Sequence, residues 1–305
     1  TVPKGVFSHA AGLLSIFADL LSRRSKRGSL ASVCESIGFT ARVRPPTEPA
    51  RKLFARIFDR LLDVYTEDKG WDGIIQIAYF CSGPAGKLDG LDMLGAEAGV
   101  KVHMYDTLNG PEFDIDTERG MATARRIEDA SHAVIVSGEC RSFAIARLYD
   151  NGPPPVFTRR FVSGIPTDVD WQRAEIASTS RTYERLLQLM RAAHGKGKPI
   201  VMETVPDYGN PTYKGQPNPL YKEKFKDHCP LSLYQPMAVF LAQAGLQALL
   251  LSQCMLQPTG RPRKEFTSAP TALYVSACVH ERMADLDGRM CTHGADAHGT
   301  LEGLK

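Results

Sequence analysis

The residues of this chain that could do chemistry sit directly after apolar runs. Cys81-Ser82-Gly83-Pro84-Ala85-Gly86 follows the run Ile74–Phe80. Glycine carries no Cβ, so such a turn lets backbone N–H groups come close to a ligand at the start of the next helix. Asp106 ends the run Val100–Tyr105, about twenty residues past the glycines, where a nucleotide-binding βαβ unit places a carboxylate for ribose hydroxyls. Glu139-Cys140-Arg141 follows Ala133–Gly138, and Glu203 follows Pro199–Met202. A thiol and a second carboxylate are thereby brought to the carboxyl edge, where open α/β sheets keep their ligands. The pattern is that of a nucleotide site with titratable groups beside it.

The elements that must position these groups alternate. The apolar runs are short and β-branched, as suits strands buried on both faces. Helical spacing marks Leu88–Ala98, Glu118–Asp129, Trp171–His194 and Leu233–Gly245, and a last strand is expected at Ala248–Ser252. Five β-α alternations predict an α/β fold, a doubly wound sheet with helices on both faces. The long loop Gly152–Asp170 is placed to close over a substrate, and Tyr208–Pro219 is another loop rich in Pro, Gly and Tyr. Further helices are expected at Ala10–Leu21, Leu30–Ile37 and Ala50–Tyr65, the last with Leu53, Phe54, Ile57, Phe58, Leu61 and Leu62 on one stripe. The organisation read from this is a basic helical N-terminal extension at 1–49, a nucleotide-type domain at 50–270 and a C-terminal tail at 271–305.

Composition narrows the function classes. The 305 residues carry a net charge of +3 and seven irregularly spaced cysteines, which argues against a disulfide framework and for a reducing, intracellular setting. The longest apolar candidates for a membrane span, such as Met237–Leu251, are broken by residues like Gln243, Gly245 and Gln247, so no membrane association is expected. Residues 1–64 hold eleven Lys/Arg against five acids. Arg23, Arg24, Lys26 and Arg27 within this segment are candidate contacts to nucleic-acid phosphates, and the extension is also a surface for protein partners.

With the strand ends assembled, residues 74–270 resemble the S-adenosylmethionine-dependent methyltransferases, and within them the cytosine-5 DNA methyltransferases and their divergent, transposon- or virus-associated relatives. Phe80-Cys81-Ser82-Gly83-Pro84-Ala85-Gly86 stands where that family has its F-x-G-x-G cofactor loop, Asp106 where it has the ribose-binding acid, and Asp114-Ile115 where it has the adenine-contacting Asp-Ile. Gly138-Glu139-Cys140-Arg141-Ser142-Phe143 resembles its nucleophile loop, Met202-Glu203-Thr204-Val205 its Glu-Asn-Val, and Arg261-Pro262-Arg263-Lys264 its Gln-x-Arg-x-Arg. The resemblance implies a Rossmann-like methyltransferase sheet and S-adenosylmethionine as cofactor, held by Phe80, Ser82, Gly83, Gly86, Asp106, Asp114 and Ile115. It implies Cys140, Glu203 and Arg263 as catalytic residues, with Arg261 and Lys264 on phosphate and DNA or RNA as the partner. Cytosine carbon 5 accepts a methyl group only after a thiolate adds to carbon 6, assisted by an acid near ring N3, which is why these residue types belong together. The target base must leave its stack to meet them.

The chain also departs from that pattern. Glu139 replaces the proline before the nucleophile, and an adjacent carboxylate should raise the thiol pKa of Cys140. Thr204 replaces the asparagine, and the stretch after Lys264 is too short for a target-recognition domain. The family's final cofactor-contacting helix would then be supplied by Ala50–Tyr65, as in a circular permutation. Two alternatives follow: a catalytically silent methyltransferase-like structural or nucleic-acid-binding subunit, and an RNA 2′-O (cap-type) methyltransferase using Lys198 and Glu203. In the tail, Cys278, His280, Cys291 and His293 are weak zinc candidates, their one-residue spacers being shorter than usual, and no metal is expected.

Overall fold

The computed structural model describes residues 75–86, 91–97, 100–138, 141–252 and 270–292. The helices expected before residue 66 lie outside these residues, as do Glu139, Cys140, Arg261, Arg263, Lys264, His293, and the basic residues Arg23, Arg24, Lys26 and Arg27.

The chain is an α/β protein built on a six-stranded, mostly parallel sheet. Its strands are β1 (Ile75–Phe80), β2 (Val100–Tyr105), β3 (Ala133–Ser137) and β4 (Ile200–Thr204), then, past a small hairpin of β5 (Thr212–Tyr213) and β6 (Gln216–Pro217), β7 (Gln247–Ser252) and β8 (Pro270–Val275). The order is β2-β1-β3-β4-β8-β7. β2, β1, β3 and β4 run parallel, whereas β8 is antiparallel to both β4 and β7. β1 and β3 are almost wholly buried, because neighbours on both sides and covered faces leave no solvated side and hence no apolar-polar alternation.

β8 corrects the expected organisation. A tail is expected from residue 271, yet Thr271-Ala272-Leu273-Tyr274-Val275 is an interior strand lying against Glu203 and Thr204 through Leu273 and Ala272. The run is β-branched and apolar enough to be a strand; its partners are far away in sequence, and periodicity carries no information about them.

Five α-helices accompany the sheet among the described residues: α1 (Leu91–Glu97), α2 (Glu118–Ala130), α3 (Asp170–Gly195), α4 (Gln235–Gln243) and α5 (Ala277–Met283). The even-numbered residues of β1, such as Ala78 and Phe80, share one face with Val134, Val136 and Met202, and α2, α3 and α4 close over them with Met121, Leu186, Met190 and Phe240. α1 takes the other face. A Cβ on its Gly95 would come 2.7 Å from the Val102 side chain, and Val102 is level with Ile77, on the side of the odd-numbered β1 residues. α2 starts where Thr117 accepts the Gly120 N–H at 3.0 Å, a cap whose loss typically costs about 1 kcal/mol.

α3 decides how the carboxyl edge is built. Its 26 residues span about 39 Å at about 1.5 Å per residue, twice the length of the strands. Its far end is fixed at the amino edge: Glu128, 1% exposed in the last turn of α2, takes Lys196 at 2.5 Å and Lys198 at 3.0 Å. A carboxylate at a helix C-terminus opposes the helix dipole, so burying one there requires these two cations. The first turns of α3 therefore rise past the carboxyl edge. No described helix is long and apolar enough to cross a membrane.

Candidate active site

The carboxyl edge carries two connected arrangements. The first is the glycine loop after β1. Gly83 and Gly86 have φ of 73° and 75°, and a Cβ on either would meet nothing within 4 Å among the described residues, so backbone conformation is what calls for glycine there. Cys81 also sits at φ 56°, a conformation that costs a side-chain-bearing residue of order 1 kcal/mol or more, and its N–H is tied to the Tyr105 carbonyl at 2.8 Å. The loop is laced to its surroundings through its amides. Gly83 N–H donates to Asp106 Oδ2 at 2.9 Å, Ala85 N–H to Asn109 Oδ1 at 2.7 Å and Gly86 N–H to Asp92 Oδ2 at 2.7 Å. Asn109 returns a bond to the Gly83 carbonyl at 3.1 Å.

Asp106 thus stands beside the loop at the end of β2, as expected. It also accepts Leu108 N–H at 3.0 Å through Oδ1, so each carboxylate oxygen uses one of its two lone pairs inside the protein. Asp114 turns Oδ1 toward Asp116 N–H at 2.9 Å, and Ile115 is buried in the core cluster beside it. Next to them Tyr105 is buried with no hydrogen-bond partner for its hydroxyl among the described residues, between the rings of Phe80 at 5.3 Å and Phe113 at 5.5 Å.

The second arrangement centres on Glu203. It lies within β4, level with Ser137 on β3, so their side chains emerge on the same face. Ser137 Oγ donates to Glu203 Oε2 at 2.8 Å, and the Tyr79 hydroxyl lies 3.0 Å from Ser137 Oγ. Glu203 is 6% exposed, and burial pushes its carboxyl from an ordinary 4.5 up to about 7, the Ser137 hydrogen bond opposing the rise. The Tyr79 phenol is pushed upward by burial first and by the Glu203 charge second, which keeps it a hydroxyl donor. A carboxyl of this kind is half protonated near neutrality, which is what a general acid at physiological pH requires.

The loop after β3 is fastened to the projecting part of α3. Ser142 Oγ donates to Glu175 Oε1 at 2.8 Å and meets Thr179 Oγ1 at 2.8 Å. Arg147, 5% exposed, pairs with the same Glu175 and donates to the carbonyls of Arg141 at 2.9 Å and Pro154 at 2.8 Å. These contacts hold the residues on the C-terminal side of Cys140. On the other side Gly138 is crowded: a Cβ there would come 2.7 Å from the Tyr183 hydroxyl. Cys229, also near this loop, is no substitute nucleophile, since burial pushes its thiol up to about 12.

Several expected contacts need correction. Phe80 is fully buried against Tyr105 within the core cluster, on the face closed by α2, α3 and α4. Ser82 is 5% exposed and spends its hydroxyl on the neighbouring Gly83 carbonyl at 3.0 Å. Lys198 lies two residues before β4 and Glu203 near its carboxyl end, about 16 Å apart at about 3.3 Å per residue, and Lys198 is committed to Glu128, so the cap-type pairing of these two residues is not formed. Cys278 and His280, two positions apart on α5, leave the helix in different directions, and Cys291 is fastened through its N–H to Ser252 Oγ at 3.0 Å. No group of three or more potential metal ligands gathers among the described residues. Sequence reasoning missed Tyr79, Ser137, Asn109 and Asp92. Ser137 was legible as the polar end of an apolar strand; Asn109 and Asp92 carried no signal until the loop closed on them.

Compared with protein-family models, with curated proteins and with solved structures, the chain matches none. What fold and site define is an α/β protein whose mostly parallel sheet carries a glycine loop and a buried acid at one edge.

Proposed function

We propose that the chain is an S-adenosylmethionine-dependent methyltransferase with a doubly wound, Rossmann-like sheet, acting on a nucleic-acid base, with carbon 5 of cytosine the target. The observation that carries the reading is the placement of Glu203, a buried acid with a pKa of about 7, at the carboxyl edge one strand from the crevice between β1 and β3. That crevice is the topological switch point, because the chain leaves β1 toward β2 on one side and returns to β3 on the other.

The residues beside the crevice fit a nucleoside cofactor that lacks phosphate. Three loop amides that would otherwise cradle a pyrophosphate are already taken by Asp106, Asn109 and Asp92. Asp106 keeps lone pairs for two ribose hydroxyls, and the unpartnered Tyr105 hydroxyl with Asp114 supplies polar groups for the base end. Gly83 and Gly86 leave open space for the amino-acid part. Bound there, the cofactor would supply an electrophilic methyl group.

The chain's own residues would activate the base. Cys140, as thiolate, adds to carbon 6; Glu203 in its neutral form gives a proton toward ring N3, and Arg263 steadies the ring. Glu139 raises the cost of the thiolate, and Arg141 or Arg263 offsets it by Coulomb attraction. The basic residues Arg23, Arg24, Lys26, Arg27, Arg261 and Lys264 would neutralise DNA or RNA phosphates. A silent scaffold is the second reading, favoured by Glu139 and Thr204 standing where the family has proline and asparagine.

Calorimetric titration with S-adenosylmethionine and S-adenosylhomocysteine tests the cofactor, and an oligonucleotide carrying 5-fluorocytosine tests the covalent step. Binding of both ligands, with an adduct that Cys140→Ser abolishes, is the expected result. Cofactor binding without an adduct overturns the thiolate mechanism. Absence of binding overturns the methyltransferase and leaves the scaffold.

A further inference from the structure

The row Tyr79, Ser137 and Glu203 contains more hydroxyl hydrogens than its distances alone assign. Tyr79 is 2% exposed and its hydroxyl has no described partner but Ser137, so the Tyr79 hydrogen needs its acceptor within the row. Ser137 Oγ has one hydrogen and lies 2.8 Å from Glu203 Oε2 and 3.0 Å from the Tyr79 oxygen. With Glu203 ionised only one polarity uses both hydrogens: Tyr79 O–H donates to Ser137 Oγ, and Ser137 O–H donates to Glu203 Oε2; with Glu203 protonated the row holds three hydrogens for two bonds, and the same polarity leaves the acid's own hydrogen on Oε1. The reverse chain, from a protonated Oε2 through Ser137 to Tyr79, strands the tyrosine hydrogen, because among the described residues Tyr79 has no other acceptor. Accepting a donor makes Oε2 the carbonyl-type oxygen.

We infer that Tyr79 and Ser137 are positioning residues that polarise Glu203 from one side, so that its acidic proton resides on Oε1, the oxygen turned away from Ser137, and is delivered from there to a ring nitrogen of the substrate. The inference rests on the proposed methyltransferase reading for the identity of that substrate, but not for the polarity itself. Backbone register supports it independently. Ser137 and Glu203 are paired positions on adjacent parallel strands, and Tyr79 pairs with Ile135, two residues before Ser137 on the same face. The three groups are thus set by the sheet, the most rigid element available, and not by loops. From β8, the residue level with Glu203 is Leu273, which brings no charge. Burial and the Ser137 bond are what act on the Glu203 carboxyl, while Cys81 and Asp106 act more weakly on Tyr79.

The polarity has a sign that an experiment reads. If Ser137 donates, it stabilises the ionised carboxylate, and Ser137→Ala must raise the Glu203 pKa; if Ser137 accepts, it stabilises the neutral acid, and the same change must lower it. The full chain, labelled with ¹³C at glutamate Cδ, is titrated by NMR, with the Glu203 resonance assigned by its loss in Glu203→Gln. The expected result is a rise of about one pH unit in Ser137→Ala, a roughly tenfold fall in the ionisation constant, with Ser137→Thr restoring the parent titration. In the infrared, the C=O stretch of the protonated carboxyl should move to higher frequency as it loses its donor. Tyr79→Phe, which keeps the ring, should raise the pKa by less; it carries the test alone should Ser137→Ala not fold, as judged by near-ultraviolet circular dichroism. An unchanged or lowered pKa in the folded variants overturns the inference. A raised pKa in a protein that binds no S-adenosylmethionine leaves the polarity standing and removes the methyltransferase, whereas methyl transfer with an unmoved pKa does the reverse.

Discussion

Replacing Glu203 with glutamine should make the protein more stable at neutral pH, and the size of the gain follows from where the carboxyl is buried. In the unfolded chain it titrates near its ordinary 4.5, in the folded protein near 7. Below pH 4.5 both states hold the proton and the residue contributes fully to stability. Between 4.5 and about 7 the unfolded chain ionises while the folded protein keeps its proton, so folding must take one up and stability falls with rising pH. Above 7 the loss is complete and amounts to about 3 kcal/mol, the free energy equivalent of the difference between the two pKa values. Glutamine nearly preserves shape and does not ionise. Urea unfolding of parent and Glu203→Gln from pH 4.5 to 8 isolates the effect, because the other carboxylates, whose trend is opposite, are common to both proteins. The two stability curves should separate by about 3 kcal/mol across that window, the parent falling relative to the variant. Parallel curves would mean that Glu203 is solvated or counter-charged, and the general-acid assignment would lose its physical basis.

Asp106→Ala removes the acceptor for two backbone N–H groups as well as the proposed ribose contact, and should weaken S-adenosylmethionine binding in calorimetry by about 1–3 kcal/mol; undiminished affinity removes the assignment. Arg147→Leu leaves the Glu175 carboxylate and two carbonyls without their buried donor, so unfolding should require about 3–5 kcal/mol less, and a loss under about 1 kcal/mol would show the pair to be solvated. Oligonucleotide affinity should fall with rising salt, and neutralising Arg23, Arg24, Lys26 and Arg27 together should flatten the slope in a fluorescence anisotropy titration; a slope unchanged by those substitutions places the phosphate contacts elsewhere.

The sequence by itself determined the elements that depend on local pattern. The runs at 75–80, 100–105, 133–137 and 247–252 are strands because β-branched apolar stretches of that length suit a doubly covered sheet, and α2 and α3 follow from helical spacing, each within a residue or two of its expected ends. The glycine loop and Asp106 were legible for the same reason: positive φ and a strand-end carboxylate are properties of one or two residues and their neighbours. What only the tertiary structure decided is pairing across distance. β8 took its place between β4 and β7, opposite Glu203, instead of trailing as a tail, because strand partners are selected by burial and register over tens of residues and leave no trace in a local period. Phe80, two residues from Ala78 on one strand, turned to the face closed by α2, α3 and α4, while Tyr79 turned to the other and met Ser137 and Glu203; a period of two fixes that they part, but which face holds the main core and which the acid emerges only when the helices close. The raised pKa of Glu203 belongs to the same category, since desolvation is a property of everything packed around a carboxyl and of no residue taken alone.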